Sequence, residues 1–196
     1  DTLANLWKGK QRVMTKECNV NVKEGQKYNI QLDYVQIDGS AVIQFDVLRK
    51  IQLTNADILA KVGDADAIIY VGGISPKLEG EEMKVDLPGF KGGDRTDIEL
   101  PEVQRQMIAM LHQAGKRVVY INCSGSAMGL EPETHHADAI LQAWYAGEQG
   151  GTAVADVLFG DYNPSGKLPI TFYKDVKQLP DYEDYRMTGR TYRYFK

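Results

Sequence analysis

The sequence predicts an α/β fold: a mostly parallel sheet flanked by helices, with a short antiparallel β segment at the N-terminus. Three observations carry that reading. Apolar, β-rich bursts at residues 67–71, 118–121 and 139–145 are each too short for a helix and fit buried parallel strands. Stretches with helical spacing lie between them, and strands alternating with helices make a parallel sheet. Residues 1–50 follow a different rule, alternating polar and apolar side chains with a period of two.

Taken in order, Asn19-Val20-Asn21-Val22 alternates, Lys23-Glu24-Gly25-Gln26-Lys27 reads as a turn, and Tyr28, Ile30, Leu32 and Tyr34 alternate again. Asp38-Gly39 is a hairpin turn, with residues 41–47 as the returning strand. Two or three such strands are marginal alone and need a partner sheet. After Arg49-Lys50 the texture changes. Thr54 or Asn55 caps a helix bearing Ile58, Leu59 and Val62, with Gly63 as its stop. The 67–71 strand and a glycine- and acid-rich loop follow. Leu100-Pro101-Glu102 opens a second helix, with Val103, Met107, Met110 and Leu111 as its apolar stripe and Gly115 at its end. Residues 117–123 and 139–145 are the next strands. A helix after Gly147 turns Ala153, Val154, Val157, Leu158 and Phe159 inward, and residues 168–172 read as a fourth strand. The boundary near residue 50 divides the chain into 1–50 and 51–196.

Composition narrows the function. A chain of 196 residues with 43% hydrophobic content can bury a core. Its net charge of −4 offers no electrostatic footprint for nucleic acid, and no apolar run approaches the ~20 residues that span a bilayer. Cys18 and Cys123 match no metal spacing and read as two buried thiols. The chain begins at Asp1 and stops within an aromatic, strand-like run, so both ends are expected to be cut.

Val71-Gly72-Gly73-Ile74-Ser75-Pro76-Lys77-Leu78-Glu79-Gly80-Glu81-Glu82-Met83 is the stretch that organises the functional reading. Ligands bind outside the carboxyl ends of strands in open α/β sheets, and three carboxylates fall there within four residues. Other chemistries fit less well. Gly72-Gly73-Ile74-Ser75 is not a dinucleotide fingerprint, and no phosphate-loop lysine motif occurs. His135-His136 are adjacent and point apart on a helix, so no metal is expected. Ser124-Gly125-Ser126 lacks the frame of a nucleophile elbow. Paired-carboxylate chemistry on sugars remains, in which one carboxylic acid protonates the leaving oxygen and a second carboxylate attacks or activates water. The Glu79, Glu81 and Glu82 cluster can supply the first.

Glu79-Gly80-Glu81-Glu82, then Gly93-Asp94-Arg95, Leu100-Pro101 and Gln104, resembles the acid/base signature of family 3 glycoside hydrolases. Residues 143–151 (Ala-Trp-Tyr-Ala-Gly-Glu-Gln-Gly-Gly) and 155–169, which end in Asn163-Pro164-Ser165-Gly166-Lys167-Leu168-Pro169, are similar to later blocks of that family, in the same order. Leu78 to Met83 looks most like β-xylosidase and β-glucosidase members, and residues 1–50 resemble the last strands of a protective-antigen-type β-sandwich insert. The resemblance implies a retaining exo-β-glycosidase acting on terminal β-linked sugars of an oligosaccharide or glycoside. Its aspartate nucleophile would sit on an N-terminal (β/α)8 barrel domain that this chain lacks. Residues 51–196 would supply the acid/base, with Glu79 the first choice, Glu82 the second and Glu81 the third, and with Asp94 and Arg95 as substrate contacts. It implies no cofactor, and a secreted or periplasmic setting that the residues themselves do not show. The fragment alone is expected to be inactive.

Read from the residues alone, Arg95 serves equally as a salt-bridge partner of Asp94 or Asp97, and Trp144 and Tyr145 as core side chains. Two other functions stay open: a non-catalytic carbohydrate-binding or structural module, and a flavodoxin-like nucleotide or flavin domain.

Overall fold

The computed structural model describes residues 16–35, 39–40, 42–80 and 83–195. The chain forms two compact units, Asp1–Ile51 and Gln52–Lys196. In the first, the Lys23–Gln26 turn forms as expected: the Gln26 N–H donates to the Lys23 carbonyl at 3.2 Å and Gly25 takes φ +76°. The alternating segments run without a regular ladder among the described residues, and Val20, Ile30, Leu32, Tyr34 and Ile43 are exposed. So few strands cannot shield each other's apolar faces, which leaves the period-two pattern without a surface to pack on. The hairpin residue Asp38 and Ala41 lie outside the described residues.

The second unit carries the α/β fold. Helix α1 (Asn55–Val62) is opened by a capping box, in which the Thr54 hydroxyl accepts the Asp57 N–H and the Asp57 carboxylate accepts the Thr54 N–H. Gly63 closes it. Strands β1 (Ile68–Gly73), β5 (Val118–Cys123) and β6 (Ala139–Gln142) form a parallel sheet in the order β1-β5-β6. The register sets Ile68 against Val118, Gly73 against Cys123, and Asn122 against Gln142. Between β1 and β5 lie the one-turn helix α2 (Pro76–Glu79), a small antiparallel sheet of β2 (Asp86–Leu87), β3 (Phe90–Lys91) and β4 (Asp94–Arg95), and helix α3 (Glu102–Gln113). Helices α4 (Glu131–Thr134) and α5 (Gly150–Phe159) flank β6 in the chain.

Because strand side chains alternate, Ile68, Tyr70, Val118, Tyr120 and Ile140 share one face of the sheet and join Leu59, Val62, Ile108 and Leu111 in one core. Ile108 is fully buried where the sequence placed Val103; Val103 is 69% exposed, at a position that α3 turns to solvent. The fourth expected strand does not form: residues 168–172 join no ladder, and Leu168 and Ile170 are exposed. In α5, Val154, Val157 and Leu158 are half-buried, whereas Ala153 and Phe159 face solvent.

Candidate active site

Three chain segments leave the sheet at its carboxyl end and meet there. After β1, Ser75 caps α2 by accepting the Leu78 N–H, Pro76 supplies a helix-ready φ at the first position, and Gly80 ends the turn in the left-handed region at φ +57°. A Cβ on Gly80 would stand 2.3 Å from the Val85 side chain, so both torsion and space require glycine. Glu79 is thus fixed on the last residue of a single capped turn.

After β5, Ser124, Gly125 and Ser126 form the second segment; after β6, Ala143, Trp144 and Tyr145 form the third. The sheet ends at Gln142, earlier than the apolar run, and Trp144 takes φ +57°. That turn swings Tyr145 out of line and over Gly125, where any Cβ would lie 2.6 Å from the tyrosine ring. The Trp144 ring meets Phe172 edge to face at 5.9 Å.

The Glu79 carboxyl is the meeting point. Ser126 Oγ donates to its Oε1 at 3.0 Å, and Tyr145 Oη lies 3.0 Å from its Oε2 while also reaching the Ile74 carbonyl at 2.5 Å. Arg95, at the end of β4, donates through Nη1 to Ser126 Oγ at 3.0 Å and to the Ala127 carbonyl at 3.1 Å, and through Nε to the Asp97 carbonyl at 3.0 Å. Burial pulls the Arg95 guanidinium below its usual pKa, against the opposing pull of Glu79 and Asp97. Burial, and then the Glu79 carboxylate, raise that of the Tyr145 phenol.

Beneath this cluster a chain of buried and half-buried amides and hydroxyls continues into the sheet. Asn122 donates to Gln142 at 2.5 Å and to Ser124 at 3.2 Å, Tyr120 donates to Asn122 at 2.7 Å, and Ser124 donates to the Ser126 carbonyl at 2.9 Å.

Of the site residues expected from the sequence, Glu79 and Arg95 are brought together through Ser126. Asp94 is exposed, and Glu81 and Glu82 lie outside the described residues. Arg95 makes its described bonds to Ser126, Ala127 and the Asp97 backbone rather than a carboxylate pair with Asp94 or Asp97. Tyr145 and Ser126 are the residues sequence reasoning missed. The sequence places Tyr145 in the core and offers Ser126 only as a nucleophile. The available signal was positional, since each follows a strand of a parallel sheet at the end where sites form. Among the described residues no group of His, Cys, Asp and Glu is placed to hold a metal, and no helix is long and apolar enough to cross a membrane.

The sequence pattern of the glycosyl hydrolase family 3 C-terminal domain matches residues 5–195. The chain belongs to glycosyl hydrolase family 3. It is 55% identical over 177 residues to the xylan 1,4-beta-xylosidase of Xylanibacter ruminicola, which covers 90% of this chain and 21% of that protein. It is 44% identical over 128 residues to the periplasmic beta-glucosidase of Salmonella typhimurium, covering 65% and 15% respectively. Among solved structures, the beta-glucosidase of Listeria innocua in complex with gluconolactone is similar, with a TM-score of 0.55 and 29% identity over 71% of this chain and 18% of that one. A β-glucosidase from Erythrobacter marinus gives a TM-score of 0.55 at 38% identity, over 64% of this chain and 16% of that one. This family 3 chain therefore spans about a fifth or less of the length of the relatives named here.

Proposed function

We propose that this chain is the acid/base part of a retaining exo-β-glycosidase of the β-xylosidase or β-glucosidase type. In this reading, the segment Glu79-Gly80-Glu81-Glu82 supplies the proton to the leaving oxygen and later activates water. The nucleophile comes from a (β/α)8 barrel domain outside the chain. The observation that carries the proposal is the convergence on Glu79 of Ser126, Tyr145 and Arg95, at the carboxyl end of the parallel sheet of a family 3 domain. Glu79, Glu82 and Glu81 are the candidate acids in the order the sequence ranks them, and Arg95 and Asp94 remain candidate sugar contacts. Exposed apolar side chains on the outer face of β1 (Ile69 and Val71) and on α5 (Phe159) support a larger protein around this unit. We assign residues 1–50 to the end of a β-sandwich insert within that protein, and 51–196 to the domain bearing the acids.

The test uses the complete enzyme with alanine placed singly at Glu79, Glu81 and Glu82. An aryl β-xyloside and an aryl β-glucoside with poor leaving groups report the acid step. Loss of the acid slows these substrates by about 10²–10⁴-fold, while an activated aryl glycoside, whose leaving group needs no proton, regains turnover with added azide as a β-glycosyl azide. If all three variants hydrolyse such substrates at the wild-type rate, the segment is not catalytic and the domain acts as a sugar-binding or structural module.

A further inference from the structure

Resting on that reading, with its first-ranked acid Glu79, we infer that Ser126 and Tyr145 are positioning residues that give the two carboxyl oxygens different tasks. Ser126 holds Oε1 as a fixed acceptor. The proton lent to the sugar is carried on Oε2, where the Tyr145 hydroxyl serves both the neutral and the charged form.

Hydrogen-bond direction assigns the first oxygen. A guanidinium only donates. Arg95 Nη1 donates to Ser126 Oγ at 3.0 Å and to the Ala127 carbonyl at 3.1 Å, and its Nε donates to the Asp97 carbonyl at 3.0 Å. With Arg95 donating to its oxygen, Ser126 turns its own proton to Glu79 Oε1, 3.0 Å away. In a carboxylic acid the carbonyl oxygen is the better acceptor, so a carboxyl that accepts through Oε1 carries its proton on Oε2.

Tyr145 faces the opposite situation, with one proton and two acceptors. The Ile74 carbonyl lies at 2.5 Å and Glu79 Oε2 at 3.0 Å. When Glu79 is neutral, Tyr145 donates to Ile74 and leaves the Oε2 proton for the leaving oxygen. That oxygen takes the proton as its bond to the sugar carbon breaks, and the phenol turns its hydrogen to the new carboxylate. When water later attacks the glycosyl-enzyme, Oε2 takes a proton from it and the phenol turns back to Ile74. Tyr145 keeps its own proton throughout, as befits a phenol whose pKa is raised by burial and then by its bond to Glu79.

The placement of Tyr145 fits a hydroxyl in use. Trp144 takes φ +57° to deliver the ring, and such backbone clusters at functional sites. The ring lies on Gly125, where a Cβ would stand 2.6 Å from it, yet Tyr145 is 42% exposed and is not held there by core burial.

The test uses kcat/KM of the complete enzyme on phenyl β-xyloside, whose leaving group needs the proton, and on dinitrophenyl β-xyloside, whose leaving group does not. Tyr145→Phe and Ser126→Ala each lower the phenyl value by about tenfold or more, as expected for one hydrogen bond to a charged group, and leave the dinitrophenyl value within about threefold. Arg95 and Tyr145 are the titratable groups described at the carboxyl, and Asp97 acts on Arg95. Each variant loses a donor to the charged form of Glu79, so the alkaline limb of kcat/KM moves to higher pH. In a Glu79→Ala background neither substitution adds a further loss.

Equal slowing of the two substrates, an unmoved alkaline limb, or the same loss in the Glu79→Ala background would each overturn the inference, because a merely structural hydroxyl behaves in those ways. Where Ser126→Ala fails to fold, Tyr145→Phe, which keeps the ring over Gly125, carries the test. If Glu79→Ala is slow on phenyl β-xyloside while Tyr145→Phe and Ser126→Ala are not, the parent reading stands and this inference fails. If Glu79→Ala works at the wild-type rate, this inference fails as well, and the parent reading then stands only where Glu81→Ala or Glu82→Ala slows that substrate.

Discussion

Removing the Gln104 carboxamide should loosen the carboxyl end of β1 without disturbing the apolar core. Gln104 lies on α3, 31 residues beyond Gly73 in the chain. Its side-chain N–H donates to the Gly73 carbonyl at 2.7 Å and its side-chain oxygen accepts the Gly73 N–H at 2.8 Å. The fit demands glycine beside it, since a Cβ on Gly72 would lie 2.4 Å from that oxygen. Each intramolecular hydrogen bond contributes about 1 kcal/mol net, so Gln104→Met, which keeps the side chain's bulk, should cost about 2 kcal/mol. For a chain of this size each kcal/mol moves the midpoint by about 2–4 °C, giving a fall of about 4–8 °C. Thermal unfolding of the purified chain followed by circular dichroism measures it. Gln106→Ala is the control: Gln106 donates to Glu102 at 3.0 Å on the exposed side of the same helix, and its loss should stay within about 0.5 kcal/mol. A Gln104→Met midpoint equal to that of the control would show that the clamp on Gly73 carries no net stability, and the reasoning would fail.

Two further predictions concern the same unit. Gly73→Ala should lower the midpoint more than Gln104→Met does, because Gly73 sits at φ +127° and its Cβ would fall 1.9 Å from the Cys123 carbonyl oxygen. Gly115→Ala, at φ +75° with nothing within 4 Å, should cost only about 1–2 kcal/mol, and equal effects of the two in thermal unfolding would refute the steric account. Glu133 is 2% exposed, 3.7 Å from Arg105 Nε, and its Oε2 has no hydrogen-bond partner among the described residues. Burial raises its pKa in the folded state above the ordinary value of 4.5. A raised folded value means the protonated form favours folding, so this stability is full below about 4.5 and is lost as pH rises through the folded value. The midpoint of Glu133→Gln minus that of the wild type should therefore grow from pH 4 to pH 8; a constant or shrinking difference would refute the assignment.

The parallel sheet was legible because its strands are short, apolar and bounded. Residues 67–71 and 117–123 correspond to β1 and β5 within a residue or two, and Thr54 and Gly63 cap α1 as read. Residues whose fate depends on partners were not legible. The 168–172 run has strand-like composition but no neighbouring ladder, and Val103 belongs to the helical stripe by hydrophobicity while the helix rotation favours Ile108. At the site, Glu79 could be found because acids after a strand are unusual. Tyr145 could not, because its position depends on the left-handed turn at Trp144, and tryptophan is a residue for which a positive φ is not anticipated.

The polar chain under Glu79 gives a physical reason why core and site stand or fall together. In a parallel sheet every strand delivers its following segment to the same edge, so residues 74–80, 124–126 and 143–145 converge however far apart they lie in sequence. Convergence alone does not align Glu79 with Ser126 and Tyr145, because a slip of one residue turns every side chain to the opposite face. Asn122 and Gln142, paired across β5 and β6, lock that register: their amides bond to each other and both reach Ser124, two residues before the hydroxyl that holds Glu79. A slip would leave the buried Asn122 amide unsatisfied, at a cost of about 1–3 kcal/mol, with less for the half-buried Gln142, and would carry Ser126 away from the carboxylate. The packing of Tyr120 against Tyr70 and the hydrogen bond from Tyr120 to Asn122 then link that lock to the apolar core. The placement of Glu79 is set by sheet register first and by its own loop second.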